Sequence, residues 1–193
     1  MYLMSKEFIE NIHYKGENFA EKPFKMAEYD NCTFSNCVFY EANLSDTHFT
    51  DCVFDNCDLS MAKLHQTAFK EVKFKNCKLL GLRFDHCNSF LLAFSFEACT
   101  LNFSSFYQLK LKNTLFKDCK LEEVDFIEAD LTNAIFRNCD LIRAVFDRTK
   151  LGGADFRASY NFSIDPELNP IFKAKFSAQT IGGLLNKYKI VIE

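Results

Sequence analysis

Two cysteines stand five residues apart in the stretch Asn31-Cys-Thr-Phe-Ser-Asn-Cys-Val-Phe39, which repeats an Asn-Cys-x-Phe unit, and Asn-Cys or Asp-Cys recurs along the chain. Residues of this kind could hold a metal, form a disulfide framework, or pack without doing chemistry. Zinc needs tetrahedral clusters, typically from C-x(2–4)-C pairs. The four histidines, His13, His48, His65 and His86, are scattered, and no GxSxG, P-loop or HExxH pattern is present. Gly152-Gly153 and Gly182-Gly183 lack the surroundings of a phosphate loop, and no pair of carboxylates stands out as acid and base. The reading that follows is a protein that is not an enzyme and carries no cofactor and no metal.

The elements that position these residues are set by a period of five. Counting from Phe19, every fifth residue is Phe, Tyr or Leu: Phe24, Tyr29, Phe34, Phe39, Leu44, Phe49, Phe54, Leu59, and so on to Phe84. The frame then shifts by two residues and resumes from Leu91 through Phe96, Leu101 and Phe106 to Phe156. Two residues before each anchor sits mostly a small residue, such as Cys32, Ala42, Thr47, Cys119 or Ala144. A period of five fits neither a helix at 3.6 nor a strand at 2 and demands a chain that turns once per repeat.

Segments such as Glu41-Ala-Asn-Leu-Ser-Asp46, Glu128-Ala-Asp-Leu-Thr-Asn133 and Gly153-Ala-Asp-Phe-Arg157 resemble the pentapeptide repeat family. That resemblance implies an all-β solenoid, a right-handed quadrilateral parallel β-helix of about seven coils, roughly 34 Å long at the spacing of paired strands. Residues twenty apart should then stack. One column reads Phe34, Phe54, Phe74, Phe96, Phe116, Phe136, Phe156, and the next reads Phe39, Leu59, Leu79, Leu101, Leu121, Leu141. The columns stay in register if the two extra residues fall at a corner near His86-Cys-Asn-Ser-Phe90. In this frame Cys37, Cys57, Cys77, Cys99, Cys119 and Cys139 form one inward line packed against Leu, which reads as buried thiols and not as a metal site. Asn36, Asn56, Asn76 and Asn138 fall at corners, where Asn tolerates left-handed backbone.

Three regions follow: an N-terminal cap over 1–18, repeats over 19–157 with the insertion near 85–91, and a C-terminal cap and dimerisation module over 158–193. In the last, Ser177 to Tyr188 reads as a short helix with Ser177 or Thr180 as N-cap, and Lys189-Ile-Val-Ile-Glu193 as a strand. The first residues carry charges and no apolar signal core, and no window is apolar enough to span a membrane, so a cytoplasmic protein that touches neither membrane nor nucleic acid directly is expected. In such a reducing compartment the nine Cys are thiols.

What remains for function is the outer surface, whose charge is banded beneath a net −3. Residues 26–62 hold Glu28, Asp30, Glu41, Asp46, Asp51, Asp55 and Asp58 and no Lys or Arg. Residues 63–83 reverse the sign, with Lys63, Lys70, Lys73, Lys75, Lys78 and Arg83 against Glu71. A second acidic run follows in Glu122, Glu123, Asp125, Glu128 and Asp130. The chain is similar to the Qnr and MfpA quinolone-resistance group, whose members resemble B-DNA in size and charge and bind DNA gyrase. The resemblance implies a DNA-mimicking partner of gyrase that gives quinolone protection, and a homodimer formed through Ile181, Leu184, Leu185, Tyr188 and Ile190. Many Qnr proteins also carry long projecting loops, which this chain replaces with the two-residue excess near His86. The other reading is an interaction or structural rod with a different protein partner.

Overall fold

In the computed structural model, which describes residues 6–90 and 92–191, the chain winds into a four-sided solenoid in which every strand pairing is parallel. The first wall is the sheet β1 (Glu7–Glu10), β3 (Ala27–Asp30), β5 (His48–Thr50) and β7 (Ala68–Lys70), and isolated pairings Lys110–Asp130–Lys150 continue it. The second wall is the ladder β2 (His13–Lys15), β4 (Thr33–Ser35), β6 (Val53–Asp55), β8 (Val72–Lys75), β9 (Phe94–Glu97), β10 (Leu115–Lys117) and β11 (Ile135–Arg137). The third and fourth walls pair through single residues, Val38–Asp58–Lys78–Thr100–Lys120–Asp140 and Arg83–Ser105–Asp125–Val145. Such short strands follow from the repeat. Only the residue on either side of each anchor lies flat on a wall before the next corner turns the chain.

Corners turn because one residue per repeat adopts the left-handed conformation, with φ between 47° and 64° at non-glycine positions from Asn11 to Lys189. Asn occupies this position at 31, 36, 56, 76 and 138 as expected, and its amide adds a rung: Asn31 Nδ2 donates to Asn11 Oδ1 at 2.7 Å and Asn56 Nδ2 to Asn36 Oδ1 at 2.6 Å. Yet Glu41, Met61, Phe103 and Arg143 adopt the same φ. The closed coil imposes the conformation, whatever each side chain prefers.

Inside, the Phe column stacks as expected. Ring centroids are 4.7 Å apart for Phe34 and Phe54, 5.2 Å for Phe96 and Phe116, 4.9 Å for Phe116 and Phe136, and 4.7 Å for Phe136 and Phe156, with planes within 14° of parallel. The column runs beyond both expected ends, to Tyr14 below and Phe176 above. The described part of the N-terminal cap, residues 6–18, thus winds in register with the coil above it. Each buried Phe contributes about 1.5–3 kcal/mol by burial, with about 0.5–1.5 kcal/mol more per aromatic pair.

The insertion lies where the frame shift places it. Gln66 N donates to His86 O in the twenty-residue register, whereas Val72 already pairs with Phe94 in a register of 22. Phe94 therefore stands in the column that carries Cys32, Cys52 and Val72, and it turns a large ring into the core, 5.3 Å from Phe84 and 5.1 Å from Phe96. The anchor expected at Leu91 lies outside the described residues.

Two expectations at the C-terminus are corrected. Ser177–Tyr188 is not an α-helix but a run of turns with two short 3-10 segments, Ile181–Leu184 and Asn186–Tyr188. Gly182 and Gly183 both disfavour an α-helix, and neither Ser177 nor Thr180 caps a backbone N–H, since their hydroxyls bond each other at 2.7 Å. The strand expected at Lys189–Glu193 is also absent among the described residues. Lys189 turns left-handed (φ 51°), Ile190 and Val191 pair with nothing, and residues 192–193 lie outside the description. The physical reason is that these turns fold back over the end of the solenoid, where Ile164 N donates to Gly183 O at 3.0 Å and Gly183 packs against Phe162, leaving no edge beside them to extend.

Candidate protein-interaction surface

All nine cysteines are buried free thiols. Seven of them, Cys32, Cys37, Cys52, Cys57, Cys77, Cys99 and Cys139, donate to a carbonyl of the preceding coil. The sulfur of Cys57 donates to the Phe34 carbonyl at 3.3 Å and accepts from the Cys37 backbone N–H at 3.4 Å. Ser159 does the same with its hydroxyl, donating to Phe136 O at 2.9 Å and accepting from Cys139 N at 3.3 Å, and Ser104 with Leu79 O and Leu82 N. Thr149 donates to Phe126 O at 2.8 Å. The inward small residue is therefore a bracket between coils, and thiol, hydroxyl or amide can serve. Burial pushes the Cys52 thiol up to about 12 and raises Cys37 and Cys87 as well, so these sulfurs stay protonated and weakly nucleophilic. No group of three or more His, Cys, Asp or Glu that could hold a metal occurs among the described residues.

Two outcomes are expected from the bracket. A thiol reagent at pH 8 labels none of the nine cysteines on the timescale of minutes in the folded protein and all nine in denaturant. Cys99→Ser changes stability by less than about 1.5 kcal/mol, read from a denaturant titration, because Ser already fills the equivalent place at 159.

Outside, the acidic residues that are consecutive in sequence do not share a wall. Glu28 and Asp30 lie on the first wall, Asp55 on the second and Asp58 on the third, while Glu41, Asp46 and Asp51 sit at three different corners. Of the second run, Glu122 follows the third wall, Asp125 lies on the fourth and Asp130 on the first, with Glu123 and Glu128 at the corners between. A band in the sequence is a collar in space. Many of these acids also meet a donor about one coil away. Arg143 reaches Glu122 and, at 2.7 Å, Glu123; Arg148 reaches Glu128 at 2.9 Å; Lys112 lies 3.5 Å from Asp130, Lys78 3.9 Å from Asp58, and Asn76 donates to Asp55 at 3.0 Å. The hydrogen bond from Gln108, and after it the pair with Arg148, hold the Glu128 carboxyl below its ordinary range.

At the C-terminal end, Leu184 packs against the core and Leu185 is half-buried, whereas Ile181, Tyr188 and Ile190 are exposed. Tyr188 is held by a 2.9 Å bond from its hydroxyl to Glu167, and Lys187 by Asp165 and Glu167 at 2.7 Å each. The sequence reading missed two neighbours, Leu168 and the 75%-exposed Phe172, which widen this apolar end. Their signal was present as large apolar residues after Pro166 and Pro170, outside the five-residue frame. It also missed Met61 and Phe103, corner residues that are 55% and 56% exposed. The same end holds Asn169, which is fully buried.

The pattern of a family described as a pentapeptide repeat region matches residues 22–88 and 90–160. A search of curated proteins by sequence returns no match. Among solved structures, a trypsin-treated form of QnrB1, a plasmid-mediated fluoroquinolone resistance protein, superposes with a TM-score of 0.50 at 21% identity, over 96% of this chain and 100% of that one. Full-length QnrB1 gives 0.39 at 19% identity over 95% and 100%. HetL, a pentapeptide repeat protein involved in heterocyst differentiation regulation from the cyanobacterium Nostoc sp. strain PCC 7120, gives 0.35 at 16% identity over 90% and 86%. The first of these likenesses bears on the fold alone.

Proposed function

Because the chain belongs to the pentapeptide repeat family, we propose that it is a non-enzymatic, protein-binding rod that works in the cytoplasm as a homodimer joined at its C-terminal end. The observation that carries the reading is where the side chains go. The inward thiols and hydroxyls are spent as brackets between coils, so what varies from coil to coil is the outer wall and the exposed apolar end around Ile181, Tyr188 and Ile190. Exposed aromatic and aliphatic residues of this kind favour a self-complementary contact about a two-fold axis. Sedimentation equilibrium at micromolar protein reads the dimer directly. Ile181→Asp with Ile190→Asp yields a monomer that melts as the parent rod does, and a wild-type monomer would remove this part of the reading.

DNA gyrase is the first partner to test. In favour stands the density of the first acidic block, which fills nearly two coils, about 9 Å of axis, where duplex DNA carries roughly five charges. The arrangement as a collar, followed at once by a basic coil, favours instead a protein whose surface complements alternating bands. A supercoiling assay with purified gyrase, with and without a fluoroquinolone, separates the two. Inhibition or protection at micromolar protein supports mimicry, and neither effect leaves the rod with another protein partner.

A further inference from the structure

The insertion breaks the ladder above it. In regular coils the residue at the corner between the first and second walls donates its N–H to the coil above, as Asn113 does to Thr132 O at 3.0 Å and Asn133 to Gly152 O at 2.9 Å. Ala93 holds this corner in the irregular coil and donates downward instead, to Phe69 O at 2.9 Å. Its coil is thereby drawn toward the one below. β9 meets β10 only from Phe96 and Phe116 onward, whereas β10 meets β11 one residue earlier, at Leu115 and Ile135. The rung that would join Leu115 N–H to Phe94 O is therefore missing, and Lys112 O loses the amide that Ala93 has turned away. On the first wall Asp130 N donates to Leu109 O at 2.9 Å, but the equivalent Lys110 N meets no backbone acceptor among the described residues. A cleft of about 360 Å³ opens here between the two coils, lined by all four of these residues, Phe94, Lys110, Lys112 and Leu115. Its size is at the small end of ligand pockets, about 300–1,000 Å³. Buried backbone groups are almost always paired, so donors and acceptors left without a rung beside one cleft are places for a ligand's polar atoms.

The side chains around the cleft select the kind of ligand. Its floor is apolar, with buried Val72 and Phe94 beside half-buried Leu92 and Leu115. Lys73 on the second wall and Lys110 on the first are exposed and enter no ion pair among the described residues. Lys112 lies 3.5 Å from Asp130 and is answered by it. Glu71, at the lower rim, is the one acid among the lining residues. We propose that the cleft binds a small organic anion: its carboxylate or phosphate lies between Lys73 and Lys110 and accepts from Leu115 N–H, and its flat apolar body covers Leu92 and Phe94. An anion gains charge-assisted bonds from the two lysines and the amide that a neutral ligand of the same shape cannot make, and a cation would be repelled. The proposal is independent of the protein-binding reading, of the acidic collars and of the C-terminal end.

The test is a heteronuclear NMR titration of the full chain with para-hydroxybenzoate, whose carboxylate, ring and hydroxyl match the donors, the floor and the unpaired carbonyls of the cleft. The neutral para-hydroxybenzamide is titrated beside it. The backbone amides of Lys110 and Leu115 shift most, and the acid binds at least about fivefold tighter than the amide, as bonds to a charged group in place of a neutral one require. Lys73→Gln combined with Lys110→Gln removes that preference. Glu71→Gln, which takes away the opposing charge at the rim, strengthens binding of the acid by about two- to fivefold and leaves the amide unchanged. All three side chains are exposed, and the same spectra show each variant folded, so lost binding is not lost folding. Equal affinities of acid and amide overturn the proposal. Shifts centred elsewhere, such as on Ile181 and Tyr188, overturn it as well, and so does an affinity for the acid that ignores the lysine substitutions.

Discussion

Phe116→Ala lowers the free energy of unfolding by about 3–5 kcal/mol, measured by urea titration followed by circular dichroism. Phe116 is fully buried, stacks on Phe96 and Phe136, and meets Phe106 and Phe126 edge-on at 5.9 and 6.0 Å. Its ring is the floor of one coil and the ceiling of the next. Neither neighbour can collapse into the space, because the ladder fixes the coils at strand spacing, so most of the cavity penalty is kept. In a solenoid this loss falls on nearest-neighbour coupling, which predicts broadening of the transition as the two halves begin to unfold separately. The comparison is Phe103→Ala at the exposed corner, which changes stability by less than about 0.5 kcal/mol. A loss below about 1.5 kcal/mol at Phe116 would show that the stack is plastic and that the backbone ladder alone holds the coils.

The columns were legible in the sequence because the five-residue period fixes which residues face inward, and stacking at twenty residues was a check that the Phe and Leu columns could fail. The same arithmetic located the insertion but not its consequence. That Phe94 enters a column of small residues depends on space left by the irregular coil, which no local pattern encodes. Corners were half legible. Asn36 and Asn56 announce a left-handed turn, whereas Met61 and Phe103 are forced into it by coil closure and carry no such mark. The acidic blocks misled in a different way, since proximity along this chain means neighbouring walls and not one face. Glu122 and Arg143 sit 21 residues apart in sequence and touch, while Asp51 and Asp58 lie seven apart and face different directions. At the C-terminus the period ends, and apolar spacing could not tell an α-helix from 3-10 turns folded over Phe162.

Asn169 lies in that unreadable region, and Asn169→Leu is expected to destabilise the protein by about 2–5 kcal/mol despite the similar volume. Asn169 is fully buried. Its Oδ1 accepts from Thr149 N at 2.9 Å, and its Nδ2 donates to Phe146 O at 3.2 Å and to Asp165 O at 2.9 Å. This is the bracket that Cys57 and Ser159 form elsewhere, placed where the last coil meets the terminal turns. Leucine fills the space but leaves a backbone N–H and two carbonyls without this partner in an apolar interior. Asn169→Thr is expected to recover much of the loss, because Thr149 already bonds the equivalent carbonyl of Phe126 at 2.8 Å. Hydrogen exchange gives the sharper readout. In the leucine variant, amides after residue 146 lose protection together, while those of the Phe34 to Phe96 coils keep theirs. The same variant is expected to weaken self-association, since Asp165 also holds Lys187 at 2.7 Å and so places the turns that carry Ile181 and Tyr188. If Asn169→Leu frees the terminal turns and the protein still sediments as the wild type does, the exposed C-terminal residues are only a cover for the last coil.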